Sequence, residues 1–364
     1  MTNMVRINKW STVRVRGDGR ISIGDGARAI SVADTPENLR LIELLCTGGS
    51  VESICATFSA EYSRPDTAGV RQAVHELIEA GAATYNEALE SAYNPESRSS
   101  DIYDRQFLYW QASGLDRREA GQAQSLLSSA KVLILGCGGM GSMTALNLAV
   151  SGVGNFHIVD NDDVDASNLN RSFIFDESSI GLPKVDTVAN GIRRLRPEVC
   201  ITTTQQSIQS RNDIETIINT VNPDYMVMSA DKPYLKINLW ANEAALNTRT
   251  PYSTAGVSEG FASIGPMTIP GETGCFACQG YDMYDILDAP PAIRSHNLHR
   301  VAPSFGPAIS ATGAMHADQI IKYVANTGTP AIINKQIKIN FEDLTLRSID
   351  RSARGECSVC SSER

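Results

Sequence analysis

The sequence has no apolar run long enough to cross a bilayer, which argues against a membrane-spanning helix. Its N-terminus, MTNMVRINKW, has none of the apolar core of a secretory signal. Positive charge is also in deficit: 32 Lys and Arg stand against 41 Asp and Glu, a net charge of −9, which argues against a general nucleic-acid binder. Cysteine is missing from the whole stretch between Cys278 and Cys357. Of the 8 cysteines present, four form the pairs Cys275-Phe-Ala-Cys278 and Cys357-Ser-Val-Cys360, and the others lie apart. A 364-residue chain with these features fits a reducing cytoplasm and has room for two domains. No membrane and no nucleic-acid partner are expected.

Residues 1–94 read as a small α+β domain. The alternation from Ser11 to Gly24 predicts two short strands around an Asp18-Gly19 turn. Thr35 followed by Pro36 is a helix start, and Leu39, Ile42, Leu45 and Cys46 repeat at helical spacing up to Gly48-Gly49. Ser50 opens a second helix through Ile54 and Phe58. A third carries Val70, Val74, Leu77 and Ile78, and Ala83-Thr84-Tyr85 closes the region as a strand. The order is winged-helix-like. DNA binding is opposed by nine Lys/Arg against twelve Asp/Glu over Met1 to Pro95. An extended peptide at a sheet edge suits the domain better, and a dimerisation or packing role is the alternative. Asn94 to Asp101 is polar and reads as a linker.

From 95 to 364 strands alternate with helices, the pattern of a parallel α/β sheet. The expected elements are strands at Lys131–Gly136, Asn155–Asp160 and Asp224–Asp231, with helices from Ser142 and over Lys184–Arg196. Between the first strand and its helix, Gly136, Gly138 and Gly141 satisfy G-x-G-x-x-G, and Gly139 adds a further small residue. Glycines there let the backbone turn tightly and let phosphates approach the helix N-terminus. Asp160, ending the next strand, is placed to hold ribose hydroxyls, and Asp162 follows in a D-x-D pattern. Asn168, Arg171 and Lys184 gather cationic and polar groups that suit a polyphosphate better than a hydride cofactor. Asp231, at the carboxyl edge of a later strand, suits Mg²⁺ on phosphate oxygens. Cys275, Cys278, Cys357 and Cys360 suit a tetrahedral structural Zn²⁺ with no open position, disulfides or free thiols being the alternative. Cys46, Cys55 and Cys200 read as small packing residues.

These motifs together resemble the ThiF/MoeB branch of the ubiquitin-activating, adenylating superfamily, over roughly Asp101 to Cys360. The resemblance rests on GCGGMG, on Asp160 and Asp162, on SNLNR and GLPK, on Asp231 and on the two CxxC pairs. It implies a Rossmann-like, doubly wound, mostly parallel sheet, and ATP spent on an acyl-adenylate. By the same resemblance Asp160 holds the ribose, Asn168, Arg171 and Lys184 the triphosphate, and Asp231 the Mg²⁺. It further implies that Arg105 reaches the γ-phosphate of a neighbouring protomer, hence a homodimer. Two positions depart from the pattern: Ser172 replaces the Gln after the motif arginine, and Lys232 replaces the Asn after the metal aspartate.

Thioester-forming relatives place a cysteine in the crossover region, here Tyr281 to Arg300, and none is present. His296 and His299, with Arg294 and Arg300, are candidates to meet an acidic substrate there. The N-terminal domain together with the missing thiol is similar to enzymes of the MccB and PaaA type, which modify ribosomally made antibiotic precursor peptides. The reading is therefore a peptide clamp followed by a domain that adenylates a precursor-peptide carboxylate, which an internal nucleophile then captures by cyclisation or phosphoramidate formation. The second reading is adenylation of the C-terminal Gly-Gly of a ubiquitin-like sulfur carrier. A nicotinamide oxidoreductase is disfavoured by Arg171, Lys184 and Asp231.

Overall fold

A computed structural model describes residues 4–8, 10–24, 29–62, 67–85, 98–279, 303–355 and 357–360. It divides into two compact units, 1–122 and 123–364.

In the first unit, strands β1 (Met4–Ile7), β2 (Val13–Arg16), β3 (Arg20–Ile23) and β4 (Ile30–Ala33) precede helix α1 (Pro36–Thr47). Two residues, β5 (Gly49–Ser50), lead into α2 (Val51–Tyr62), α3 (Thr67–Glu79) and β6 (Ala83–Tyr85). Thr35 caps α1 by accepting from the Asn38 N–H at 3.2 Å, and Gly48 ends it at φ +81°. The expected hairpin forms as β2 and β3, and β4 extends it to three strands. A second three-stranded sheet has the order β5-β1-β6. The core joins Val5 and Ile21 from the sheets to Leu45, Ile54, Phe58 and Val74 from the helices. The hairpin, three helices and closing strand follow in the expected order, with β1, β4 and β5 as additional strands. Helix α4 (Arg98–Ala112) starts early enough to make Arg98 to Asp101 helical, so the linker reading fails for those four residues. Cys55 is buried as expected, but Cys46 is exposed. The boundary between the units falls inside α5 (Arg117–Ser129).

The second unit is built on an eight-stranded sheet. Its parallel part contains β7 (Lys131–Leu135), β8 (Asn155–Asp160), β9 (Cys200–Gln205), β10 (Tyr225–Met228) and β11 (Tyr252–Val257). Their crossovers are α6 (Gly139–Val150), α7 (Lys184–Leu195), α8 (Arg211–Val221) and α9 (Lys236–Asn247). Then β12 (Phe261–Thr268), α10 (Gly306–Val324), β13 (Lys335–Asn340) and β14 (Leu346–Asp350) add an antiparallel extension. The strand order β14-β13-β12-β11-β10-β7-β8-β9 reverses direction of growth between β7 and β10. That is the switch point at which doubly wound sheets bind ligands. Leu133, Leu135, Met226 and Met228 pack with Ile214, Ile218, Ile237 and Ala244 of α8 and α9. Cys200 opens β9 as an exposed residue, contrary to a packing role. Among the described residues no helix is long and apolar enough to cross a membrane.

His316 on α10 is completely buried, with Nε2 2.6 Å from Ser253 Oγ on β11 and Nδ1 3.5 Å from Thr144 Oγ1 on α6. Burial pushes its pKa down to about 3. The folded state therefore holds it neutral where the unfolded chain, with a value near 6.5, takes up a proton. This stabilisation is complete above about pH 6.5 and is lost as pH falls towards 3, at up to ~1.4 kcal/mol per unit. Melting temperature measured from pH 8 to pH 4 should fall below pH 6.5, and His316→Gln should flatten that part of the curve. Parallel curves would refute the assignment.

Candidate functional site

The glycine loop sits at the carboxyl end of β7, and its glycines do different things. Gly136 has φ +89°, and a Cβ there would lie 2.5 Å from the Ala230 nitrogen, so it allows the chain beyond β10 to close on the chain beyond β7. A Cβ on Gly141 would sit 1.9 Å from the Gly136 carbonyl oxygen, so Gly141 seats α6 against the loop. Gly139 has the stem of Arg171 at 3.3 Å from its would-be Cβ. Gly138 alone of the four faces open space, with nothing within 4 Å. It is the N-cap of α6 and offers no side-chain oxygen to the first-turn amides. Those amides and the helix dipole are available to an anion. Helix α6 starts at Gly139, three residues ahead of the expected Ser142.

Above the loop is a cavity of about 710 Å³. The ends of β7, β8, β10 and β11 all reach it, as expected at the switch point. Asp160 is held rigidly: Oδ2 accepts from the Cys137 N–H at 2.7 Å and Oδ1 from the Asp162 N–H at 2.9 Å. Lys184 is 8% exposed, and its ammonium lies 2.8 Å from Asp162 Oδ2. Burial opposes ionisation of Asp162, but the hydrogen bond and charge of Lys184, with the charge of Lys232, hold its carboxyl below the ordinary range. Arg171 Nη1 donates to the Ser167 carbonyl and to Asn170 Oδ1. Asn168 completes a capping box, its Oδ1 accepting from the Asp165 N–H at 3.1 Å.

Gly136, Gly138, Gly139, Asp160, Asp162, Asn168, Arg171, Lys184 and Asp231 thus converge on one cavity. Gly141 stands behind the loop. Arg105 is an exposed residue of α4, in the first compact unit. Asp231 needs a correction: β10 stops at Met228, so this carboxylate is carried by the following loop and not by the strand. Ser172, at the Gln position of the motif, is fully buried and bonds Ser142 Oγ at 2.8 Å, tying the loop to α6. Sequence reasoning missed Tyr234, Asn238 and the stretch 254–257 as cavity lining. Tyr234 and Asn238 follow β10, and 254–257 form the carboxyl half of β11, and that placement was the available signal. His296, His299, Arg294 and Arg300 lie outside the described residues.

Cys275, Cys278, Cys357 and Cys360 form a second, buried cluster whose sulfurs lie within 4.8 Å of one another. The Cys275–Cys278, Cys275–Cys357 and Cys278–Cys360 separations are 3.9, 3.7 and 3.6 Å. Disulfides need a sulfur separation of about 2.05 Å, so that alternative fails. Tetrahedral thiolate coordination at ~2.3 Å places sulfurs about 3.8 Å apart, so the residues fit a zinc-sized ion. Burial raises the pKa of the Cys275 and Cys360 thiols. Against burial, backbone hydrogen bonds at Cys360 and Val359 draw Cys357 down to about 7.

The ThiF family model matches residues 103–359. Adenylyltransferase and sulfurtransferase UBA4 of Vanderwaltozyma polyspora is 30% identical over 71% of this chain and 56% of its own length. The uba4 protein of Aspergillus terreus is 28% identical, over 86% and 66%. The chain thus spans less than two thirds of the length of these two relatives. The sulfur carrier protein ThiS adenylyltransferase of Escherichia coli K12 is 29% identical over 63% of this chain and 85% of its own. Among solved structures, E. coli MccB with ATP superimposes with a TM-score of 0.80 at 25% identity, covering 98% of this chain and 99% of that one. PaaA, at 20% identity, shares the fold with a TM-score of 0.73, over 95% and 100%.

Proposed function

The chain belongs to the ThiF family, and we propose that it uses ATP to adenylate a carboxylate of a ribosomally made precursor peptide. The observation that carries this reading is the extent of the likeness to MccB. It covers 98% of the chain, the N-terminal α+β unit included, against 63% for the ThiS adenylyltransferase and 71% and 86% for the two UBA4 proteins. In this reading the winged-helix-like domain, residues 1–94, grips the peptide, and residues 95–364 carry the chemistry. ATP lies with its ribose on Asp160 and its phosphates over Gly138 and the N-terminus of α6. Arg171 and Lys184 neutralise the triphosphate.

The substrate carboxylate attacks the α-phosphorus, forming the acyl-adenylate and expelling pyrophosphate. Two anions approach each other in that step, so fixed cations and helix dipoles lower its barrier. A magnesium ion on Asp231 would supply further charge to the phosphate oxygens. Capture by a nucleophile within the peptide requires no enzyme thiol, in keeping with a crossover stretch free of cysteine. Arg105 completes the site of a second copy in a homodimer.

The relatives named as sulfurtransferases and as a ThiS adenylyltransferase favour a second reading, adenylation of a sulfur carrier's Gly-Gly terminus. Intact-mass analysis separates the two. The protein, ATP and Mg²⁺ are incubated with short peptides encoded beside the gene and with a Gly-Gly-ended carrier. Loss of water or gain of AMP on a peptide supports the first reading. Adenylation of the carrier alone replaces it with the second.

We assign the tetracysteine cluster to a structural zinc joining the segment after β14 to the segment after β12. One equivalent of zinc per chain is expected by elemental analysis. Cys278→Ser should lower that content and the melting temperature by ~10 °C or more, because a buried metal couples directly to folding. Metal-free wild-type protein of unchanged stability would refute the assignment.

A further inference from the structure

Five aspartates line the nucleotide cavity against three cations, Arg171, Lys184 and Lys232. A polyanionic triphosphate therefore enters a site that is already net acidic, and each cation counts. Two of the three are committed to protein acceptors. Lys184 is bound to Asp162 at 2.8 Å, and Arg171 to the Ser167 carbonyl and to Asn170 Oδ1. Lys232 differs. It is exposed on the cavity wall and, among the described residues, makes no hydrogen bond or ion pair. Its charge nevertheless reaches Asp162 and helps to hold that carboxyl ionised.

The backbone around Lys232 is anchored on both sides. Ala230 packs so closely on Gly136 that a Cβ there would meet its nitrogen at 2.5 Å. The Pro233 carbonyl accepts from the Ile237 N–H at 3.0 Å in the first turn of α9. The side chain is flexible, but its point of attachment is fixed beside the cavity.

We propose that Lys232 is a third cation of the phosphate cradle and contacts the triphosphate of bound ATP directly. The inference rests on the nucleotide-site reading above. Binding through Lys232 breaks no protein ion pair, whereas Lys184 must share its charge between Asp162 and the nucleotide. The added cation also screens the negative charge gathered where the carboxylate meets the α-phosphate and pyrophosphate departs.

The test is calorimetric titration of the full-length wild type, Lys232→Asn and Lys232→Arg with ATP and, separately, with adenosine. Loss of one charge-assisted contact should weaken ATP binding about tenfold in Lys232→Asn. Adenosine, which has no phosphate, should bind both proteins equally, and Lys232→Arg should recover most of the ATP affinity. ATP affinity unchanged in Lys232→Asn, or adenosine affinity falling in parallel, would overturn the proposal. A wild type that binds adenosine and ATP equally removes the phosphate-cradle reading itself, and this inference with it.

Discussion

Arg171→Ala should reduce ATP-dependent acyl-adenylate formation by about a thousandfold, the scale set by removal of one preorganised charge-stabilising group, while leaving the melting temperature nearly unchanged. The two halves of this expectation have separate grounds. Arg171 is only partly buried, and its guanidinium bonds a backbone carbonyl and an amide oxygen, with no carboxylate that would be left unpaired. Its stem lies on Gly139 in the first turn of α6, within reach of an anion bound at that N-terminus. Lys184 is a poorer test of the same idea. Its ammonium is nearly buried against Asp162, so Lys184→Ala would strand a carboxylate that burial already disfavours and would lower stability as well. Substrate mass change and thermal denaturation, measured on the same Arg171→Ala preparation, check both halves. Retained adenylation would remove Arg171 from the phosphate site, and a collapsed fold would mean that its bonds to Ser167 and Asn170 are needed for folding.

The parts of this protein that were legible in the sequence are those specified by neighbours in the chain. Thr35-Pro36 starts α1 because one side chain and one ring act on the adjacent turn. The glycine loop is readable because strand, turn and helix occupy one short stretch. The capping box of α5 was equally local: Asp116 and Glu119 exchange side chains and backbone N–H groups at 2.7 Å, and that spacing would have placed the helix. Other features depend on distant partners. Strand β10 ends at Met228 because the next residues close on Gly136, and nothing within Asp224–Asp231 announces that contact. Strand β12 pairs with β13 across more than 70 residues of sequence, Phe261 opposite Asn340. The cysteine cluster had an intermediate status. Each CxxC pair was visible as a local motif, but only folding brings Cys275 within 3.7 Å of Cys357.

The contrast among the loop glycines yields the second large effect, because two substitutions a few residues apart should fail in opposite ways. Gly138→Val puts its branched side chain into the open space over the α6 N-terminus, where no protein atom lies within 4 Å of the new Cβ. The backbone there has φ −63° and ψ −161°, so no left-handed strain arises. Stability should change little, but the volume proposed for phosphate is occupied and the amides are shielded. ATP affinity is expected to fall at least a hundredfold, about 3 kcal/mol. Gly141→Ala has the reverse profile. Its methyl group would sit 1.9 Å from the Gly136 carbonyl, a backbone atom that cannot rotate away. Helix α6 must shift, at a cost of roughly 1–3 kcal/mol, and the melting temperature should drop by several degrees. Nucleotide affinity measured beside thermal stability distinguishes the two outcomes. A Gly138→Val protein that keeps its ATP affinity would place the phosphates elsewhere, because an anion on the α6 N-terminus cannot share that space with a valine.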